Sequence, residues 1–167
     1  MRTIKWISVL LLISQSMWAA QNFFAKALDE REGGVKTIET KQNQSVVGAL
    51  FFKTHGLLLF VSSKCPFCLK FAPVVKQYSE NNQAEVLALS FDNQPLPSFP
   101  KVIPASKDWV SVAFGNEPIN YPALFIINPK TRAIYPVSTG AYSSSELNEM
   151  MENMIAQIKK YEQGDVS

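Results

Sequence analysis

The sequence predicts an α/β domain with a central mixed sheet of about four strands, flanked by helices and preceded by a short N-terminal helical extension. Three observations support this prediction. Short apolar runs of strand length recur at residues 57–61, 85–91 and 123–127. Segments with apolar residues at helical spacing lie between and after these runs. Turn residues at 128–131 separate the third run from a fourth strand at 133–138, which indicates an antiparallel hairpin.

The first twenty residues have the pattern of a secretory signal peptide. Arg2 and Lys5 supply a positive start, residues 6–13 form a short apolar core, and Ala19 and Ala20 follow. The apolar core is shorter than the roughly 20 residues of a membrane-spanning helix. We therefore expect export to the periplasm followed by cleavage, with retention as a membrane anchor as the alternative.

The remaining length suits a single domain. We place this domain at residues 44–161. It is preceded by an extension at 21–43, in which residues 23–31 form a short helix, and followed by a flexible tail at 162–167.

A helix, a strand and a second helix are expected at the start of the domain. Residues 44–55 have helical spacing, and Gly56 is suited to end that helix in a left-handed conformation. The run 57–61 predicts a strand that is buried on both faces. Residues 68–80 predict the second helix, and Pro73 in its interior predicts a kink.

The second half of the domain continues the alternation. Residues 85–91 predict another buried strand, the proline-rich segment 92–104 an extended surface loop, and residues 106–114 a short helix. After the hairpin, Ser143 and Glu146 have the spacing of a capping box at the start of the last helix. The apolar face of that helix is expected to pack into the core and consists of Leu147, Met150, Met151, Met154, Ile155 and Ile158.

The chain has only two cysteines, Cys65 and Cys68, and both lie in one Cys-Pro-Phe-Cys motif. An exported domain that depended on disulfides for stability would carry several cysteines along its length. A disulfide across so short a ring would constrain the unfolded chain very little. A zinc site needs about four ligands, and His55 is the only histidine. The motif therefore favours a redox pair over a structural disulfide, and we predict neither a metal nor a cofactor.

The position of Cys65 suits a nucleophile. Thiolate is the attacking species in disulfide exchange. Cys65 precedes or opens the predicted helix, and free N–H groups and the helix dipole favour negative charge at that end. Lys64 adds a neighbouring cation that tunes the thiol, and Pro66 fits the first helical turn. Cys68 is then the more buried, resolving thiol.

The order of strand, Cys65-Pro66-Phe67-Cys68, helix containing Pro73, strand, helix, Tyr121-Pro122, hairpin and capped helix resembles the thioredoxin superfamily over residues 44–158. The resemblance implies a thioredoxin fold and a cis peptide bond at Pro122 beside the redox pair. The catalytic residues that it implies are Cys65, Cys68 and Pro122.

The same resemblance indicates where a substrate would bind. With Pro122 in cis, the backbone of Tyr121 is free to pair with an extended substrate segment. Phe67 and Tyr121, with Pro66, are the candidate substrate-binding residues. Phe99 either adds to this apolar surface or packs within its loop.

Two departures from the reducing thioredoxins are evident. Those proteins carry a buried acid where this chain has Leu59, and often a lysine near the position of Leu89. Proton transfer to and from Cys68 must then use water or another group. The sequence thus disfavours efficient reductase activity.

Within the superfamily, the chain resembles the small exported TrbB-like proteins of F-type conjugative transfer systems. The resemblance is carried by residues 63–68, 90–93, 95–100 and 121–125. It implies a disulfide oxidoreductase or isomerase that acts on envelope proteins of a conjugative pilus or secretion channel. A dedicated periplasmic thiol reductant is one alternative. A scaffold or holdase with a vestigial redox site is another.

Charge and composition bear on the partners. Sixteen Lys and Arg oppose fourteen Asp and Glu, and two of the cations lie in the predicted signal peptide. This balance does not indicate a nucleic-acid partner. The expected partners are unfolded or disulfide-containing envelope proteins and a membrane redox partner. Residues 21–40 could support a weak homodimer.

Overall fold

The structure, a computed structural model, describes residues 48–164. Its strands are Gly56–Val61 (β1), Val86–Ser90 (β2), Ile103–Pro104 (β3), Ala123–Asn128 (β4) and Ala133–Thr139 (β5), and its helices are Pro66–Asn82 (α1), Lys107–Phe114 (α2) and Ser144–Glu162 (α3). The predicted signal peptide, the extension with its helix at 23–31, and residues 165–167 lie outside the described residues.

The five strands form one mixed sheet in the order β3-β2-β1-β4-β5. The central strand β1 runs parallel to β2, with Leu57 opposite Val86 and Val61 opposite Ser90. It runs antiparallel to β4, which forms the predicted hairpin with β5. A parallel pair needs a crossover connection, and α1 supplies it between β1 and β2.

Alternate residues of β1 enter two separate cores. Leu57, Leu59 and Val61 pack with α1 and α3 on one face of the sheet. Leu58 and Phe60 pack with α2 on the other face. All five side chains are at most 1% exposed, which confirms that this strand is buried on both faces.

This arrangement is the thioredoxin fold, as the sequence predicts. The capping box of α3 is present, because Ser143 and Glu146 bond reciprocally. Pro73 lies inside α1, which continues through it to Asn82. Between residues 48 and 164, none of the helices combines the length and apolarity that crossing a bilayer requires.

Three expectations need correction. The sheet has five strands rather than about four, because Ile103 and Pro104 pair with the end of β2. The segment 92–104 is not wholly a surface loop, since Leu96 and Phe99 are buried in the core. Near the N-terminus of the described chain, residues 48–51 are helical and turns follow, and Gly56 opens β1 instead of capping a helix in the left-handed conformation.

Candidate redox site

Cys65 is the N-cap of α1. Its backbone is extended, with φ −91° and ψ 113°, and its Sγ accepts a hydrogen bond from the Cys68 N–H at 3.1 Å. Pro66 follows in the first turn, where its missing N–H costs no helical bond. The first turn carries no acidic residue, so the helix N-terminus presents a donor and its positive dipole end to a partly exposed sulfur. This environment suits an anionic sulfur.

Cys68 lies one turn further along α1 and is fully buried. Burial, followed by its side-chain hydrogen bond with Cys65, raises the pKa of the Cys68 thiol from an ordinary value of 9.0 to about 12. Both cysteines are free thiols in this structure. The pair is therefore asymmetric, with one accessible sulfur and one shielded, protonated sulfur.

The segment Tyr121-Pro122 reaches the redox pair from the start of β4. Its peptide bond is cis, and the Tyr121 carbonyl oxygen lies 3.9 Å from Cys65 Sγ. The N–H of Gly140 donates to the Pro122 carbonyl at 2.7 Å and ties this segment to the end of β5. Gly140 has φ +109°, a conformation that glycine adopts without a steric penalty.

The neighbours of Cys65 in the chain, and Tyr121, have exposed side chains. Phe67 is 61% exposed and Tyr121 43%, and Lys64 and Pro66 are also at the surface. The Tyr121 ring packs against Phe91 with ring centroids 5.0 Å apart. Phe99 does not join this surface. Its side chain is only 7% exposed and belongs to the core, so of the two predicted alternatives the packing role is correct.

The structure thus brings Cys65, Cys68, Tyr121 and Pro122 together. Lys64, Pro66 and Phe67 adjoin Cys65 in the chain, with their side chains toward solvent. Within residues 48–164, no group of three or more His, Cys, Asp or Glu side chains is placed to hold a metal ion.

Asp92 contacts the segment before Cys65 and is not among the site residues that the sequence predicts. It follows β2, and its carboxylate accepts hydrogen bonds from Ser62 and Ser63, which follow β1, and from Ser90. Desolvation acts to raise the pKa of Asp92, but the hydrogen bonds from Ser63, Ser90 and Ser62, and from the Gln94 N–H, outweigh it and hold that pKa well below its ordinary value. Because neighbouring parallel strands end at the same edge of a sheet, the residues that follow β1 and β2 could have been predicted to lie close together.

The chain matches a known protein family and is similar to a curated relative. The family described as "TraF: F plasmid transfer operon protein" matches residues 34–152, more than half of the chain. Protein TrbB of Escherichia coli strain K12 is 32% identical over 85 residues, which are 51% of this chain and 47% of TrbB. The chain therefore spans about half the length of the curated relative that it matches.

Two solved structures are also similar. MTB DsbF, in its mixed oxidised and reduced forms, is 23% identical and has a TM-score of 0.42, with 60% of this chain and 81% of DsbF covered. StoA from Bacillus subtilis is 19% identical and has a TM-score of 0.40, with 59% and 82% covered.

Proposed function

The chain belongs to the TraF family of F plasmid transfer operon proteins, and on that premise we propose that it is a thiol–disulfide oxidoreductase. Cys65 is the attacking cysteine and Cys68 the resolving one. The observation that carries the proposal is the asymmetry of the pair. Cys65 Sγ is accessible at a helix N-terminus, whereas Cys68 is fully buried and its pKa is raised.

The exchange follows from this asymmetry. The Cys65 thiolate attacks one sulfur of a substrate disulfide, and the other substrate sulfur leaves as a thiolate that takes up a proton. Cys68 loses its proton and attacks Cys65 Sγ, which forms the Cys65–Cys68 disulfide and releases the second substrate thiol. Two electrons pass from the pair to the substrate. In the oxidising direction the same steps run backwards.

Isomerisation is the direction that we favour. In isomerisation, Cys65 forms a mixed disulfide with the substrate, and another thiolate of the substrate then attacks this mixed disulfide and releases Cys65. Cys68 takes no part in these two steps, so it does not have to lose its proton in each cycle. The position at which reducing thioredoxins carry a buried acid is Leu59, which is fully buried among apolar side chains. A pair with a shielded, protonated Cys68 suits repeated exchange at Cys65.

The proposed substrates are unfolded or disulfide-containing envelope proteins of a conjugative transfer apparatus. Phe67 and Tyr121 offer exposed aromatic surface beside Cys65, and such surface suits segments that are not yet packed. The distance of 3.9 Å between the Tyr121 carbonyl oxygen and Cys65 Sγ supports the proposal that the Tyr121 backbone pairs with an extended segment whose cysteine meets that sulfur. Family membership and the signal-peptide pattern of residues 1–20 support a periplasmic location.

Trapping of mixed disulfides tests the proposal. We expect Cys68→Ala to accumulate covalent complexes with envelope proteins that disappear under reducing conditions, because the resolving thiol is absent. Cys65→Ser should trap none and should lose the ability to refold a scrambled disulfide substrate. If both variants support conjugative transfer as well as the wild type does, the chain is a scaffold and the enzymatic proposal is wrong.

A further inference from the structure

We propose that Asp92 is a positioning residue of the redox site, whose carboxylate fixes residues 62–65 and through them the geometry of both sulfurs. The inference rests on the proposed function. Asp92 lies outside the Cys-Pro-Phe-Cys motif, in the segment that follows β2, whereas the motif follows β1.

The contacts of the Asp92 carboxylate divide between its two oxygens. Oδ2 accepts from Ser62 Oγ at 2.9 Å, from the Ser63 N–H at 2.9 Å and from Ser63 Oγ at 2.8 Å. Oδ1 accepts from Ser90 Oγ at 2.8 Å and from the Gln94 N–H at 3.3 Å. One oxygen therefore holds the segment before Cys65, and the other is anchored to the end of β2.

Ser62 passes this constraint to both cysteines. Its carbonyl accepts from the Cys65 N–H at 3.2 Å, and its Oγ accepts from the Lys64 N–H at 3.3 Å. A backbone hydrogen bond between Ser62 and the Cys68 thiol is among the influences on the pKa of that thiol. A shift of Ser62 would thus move the N-cap sulfur and the contacts of the buried thiol together.

An ionised carboxylate is the group that these contacts require. The five donors need two acceptor oxygens, and charge strengthens such bonds. An asparagine side chain would replace one oxygen by an NH₂ group, which would face donors. Ser62 is buried, at 7% exposure, so water cannot readily substitute for the acceptor that its hydroxyl would lose.

The experiment compares wild type with Asp92→Asn in two measurements on the full mature chain. The first is the rate at which iodoacetamide modifies Cys65 at neutral pH. The second is the equilibrium between the dithiol and the disulfide in glutathione buffers. We expect Asp92→Asn to slow alkylation about fivefold, because Cys65 Sγ is no longer held against the Cys68 N–H. We also expect the equilibrium to move about tenfold toward the disulfide, about 30 mV for a two-electron couple.

Matched variants separate this role from simple stabilisation. Asp108→Asn, at an exposed position on α2, should leave both measurements at the wild-type level. The Ser62→Ala, Ser63→Ala double variant removes two of the three donors to Oδ2. It should change the alkylation rate and the dithiol–disulfide equilibrium in the same direction as Asp92→Asn. This double variant tests the inference if Asp92→Asn does not fold. A folded Asp92→Asn with a lower melting temperature but wild-type rate and potential would overturn the inference alone. A wild-type pair that does not exchange with glutathione would instead overturn the proposed function and this inference with it.

Discussion

At the scale of single residues, burial separates the reactivity of the two cysteines. Cys68 is fully buried, and desolvation with its hydrogen bond to Cys65 raises its pKa to about 12. A raised pKa lowers the thiolate fraction at any given pH, and thiolate is the species that alkylates. We therefore expect native, reduced protein at neutral pH to gain one iodoacetamide adduct, on Cys65, and denatured protein to gain two. Peptide mapping by mass spectrometry measures this.

The Cys65→Ala variant is the control for that prediction. It keeps Cys68 buried and should label at least about tenfold more slowly than wild type under native conditions. Equal labelling of both cysteines in the native wild type would contradict the assignment of Cys68 as the shielded thiol.

The residues of the site differ in how far the sequence could predict them. Cys65 and Cys68 lie in one Cys-Pro-Phe-Cys motif, so the motif alone predicts them, whereas Tyr121 and Pro122 are predicted only through the resemblance to the thioredoxin superfamily. Asp92 depends on side chains from two strand ends that lie about thirty residues apart in the chain. His55 is the last residue of the predicted helix 44–55, yet its ring is buried and its Nε2 lies 3.1 Å from Oε1 of Glu162, at the other end of the described chain. No local pattern contains those contacts.

At the scale of elements, the first turn of α3 depends on its cap. Ser143 Oγ accepts from the Glu146 N–H, and the Glu146 carboxylate accepts from the Ser143 N–H at 2.8 Å. We expect Ser143→Ala to destabilise the protein by about 1 kcal/mol, because donors at the helix start lose their partner. Urea unfolding followed by circular dichroism measures the change. Ser144→Ala, at the neighbouring exposed position, should stay within about 0.5 kcal/mol of wild type. Equal losses in both variants would refute the capping role.

Element prediction succeeded where one physical pattern dominates. The strands β1, β2, β4 and β5 are apolar runs, and α3 has both a cap and an apolar face, so the sequence located each of them. The strand β3 has only two residues, both exposed and one of them proline. Such a strand has no periodicity to detect. Its pairing with β2 depends on the path of the whole segment after Asp92.

At the scale of the whole described molecule, two polar clusters occupy opposite ends of β1. The redox site and Asp92 lie at its carboxyl end. At its amino end, Glu162 Oε1 accepts from Asn128 Nδ2 at 2.8 Å and from Tyr135 OH at 3.2 Å, and His55 Nε2 lies 3.1 Å from the same oxygen. One carboxylate therefore joins the last turn of α3 to the β4–β5 hairpin and to the residue before β1. This cluster attaches the end of α3 to the sheet at the end of β1 that is opposite the redox site.

The contribution of the Glu162 contacts to the stability of the protein should depend on pH. Desolvation acts to raise its pKa, but hydrogen bonds from Asn128 and His55, the charge of His55, and the Tyr135 hydroxyl outweigh it and lower that pKa below its ordinary 4.5. A lowered pKa in the folded state adds stability that is present above pH 4.5 and is lost as the pH falls through the folded-state pKa.

We expect Glu162→Gln to lower the free energy of unfolding by about 1 kcal/mol at neutral pH, because buried donors lose a charged acceptor. The cost should shrink below pH 4.5. Urea unfolding of both proteins across this range measures it, with the exposed Glu149→Gln as a control expected to match wild type within about 0.5 kcal/mol. A cost that stays constant down to acidic pH would show that packing at this end, not the carboxylate charge, holds α3 against the sheet.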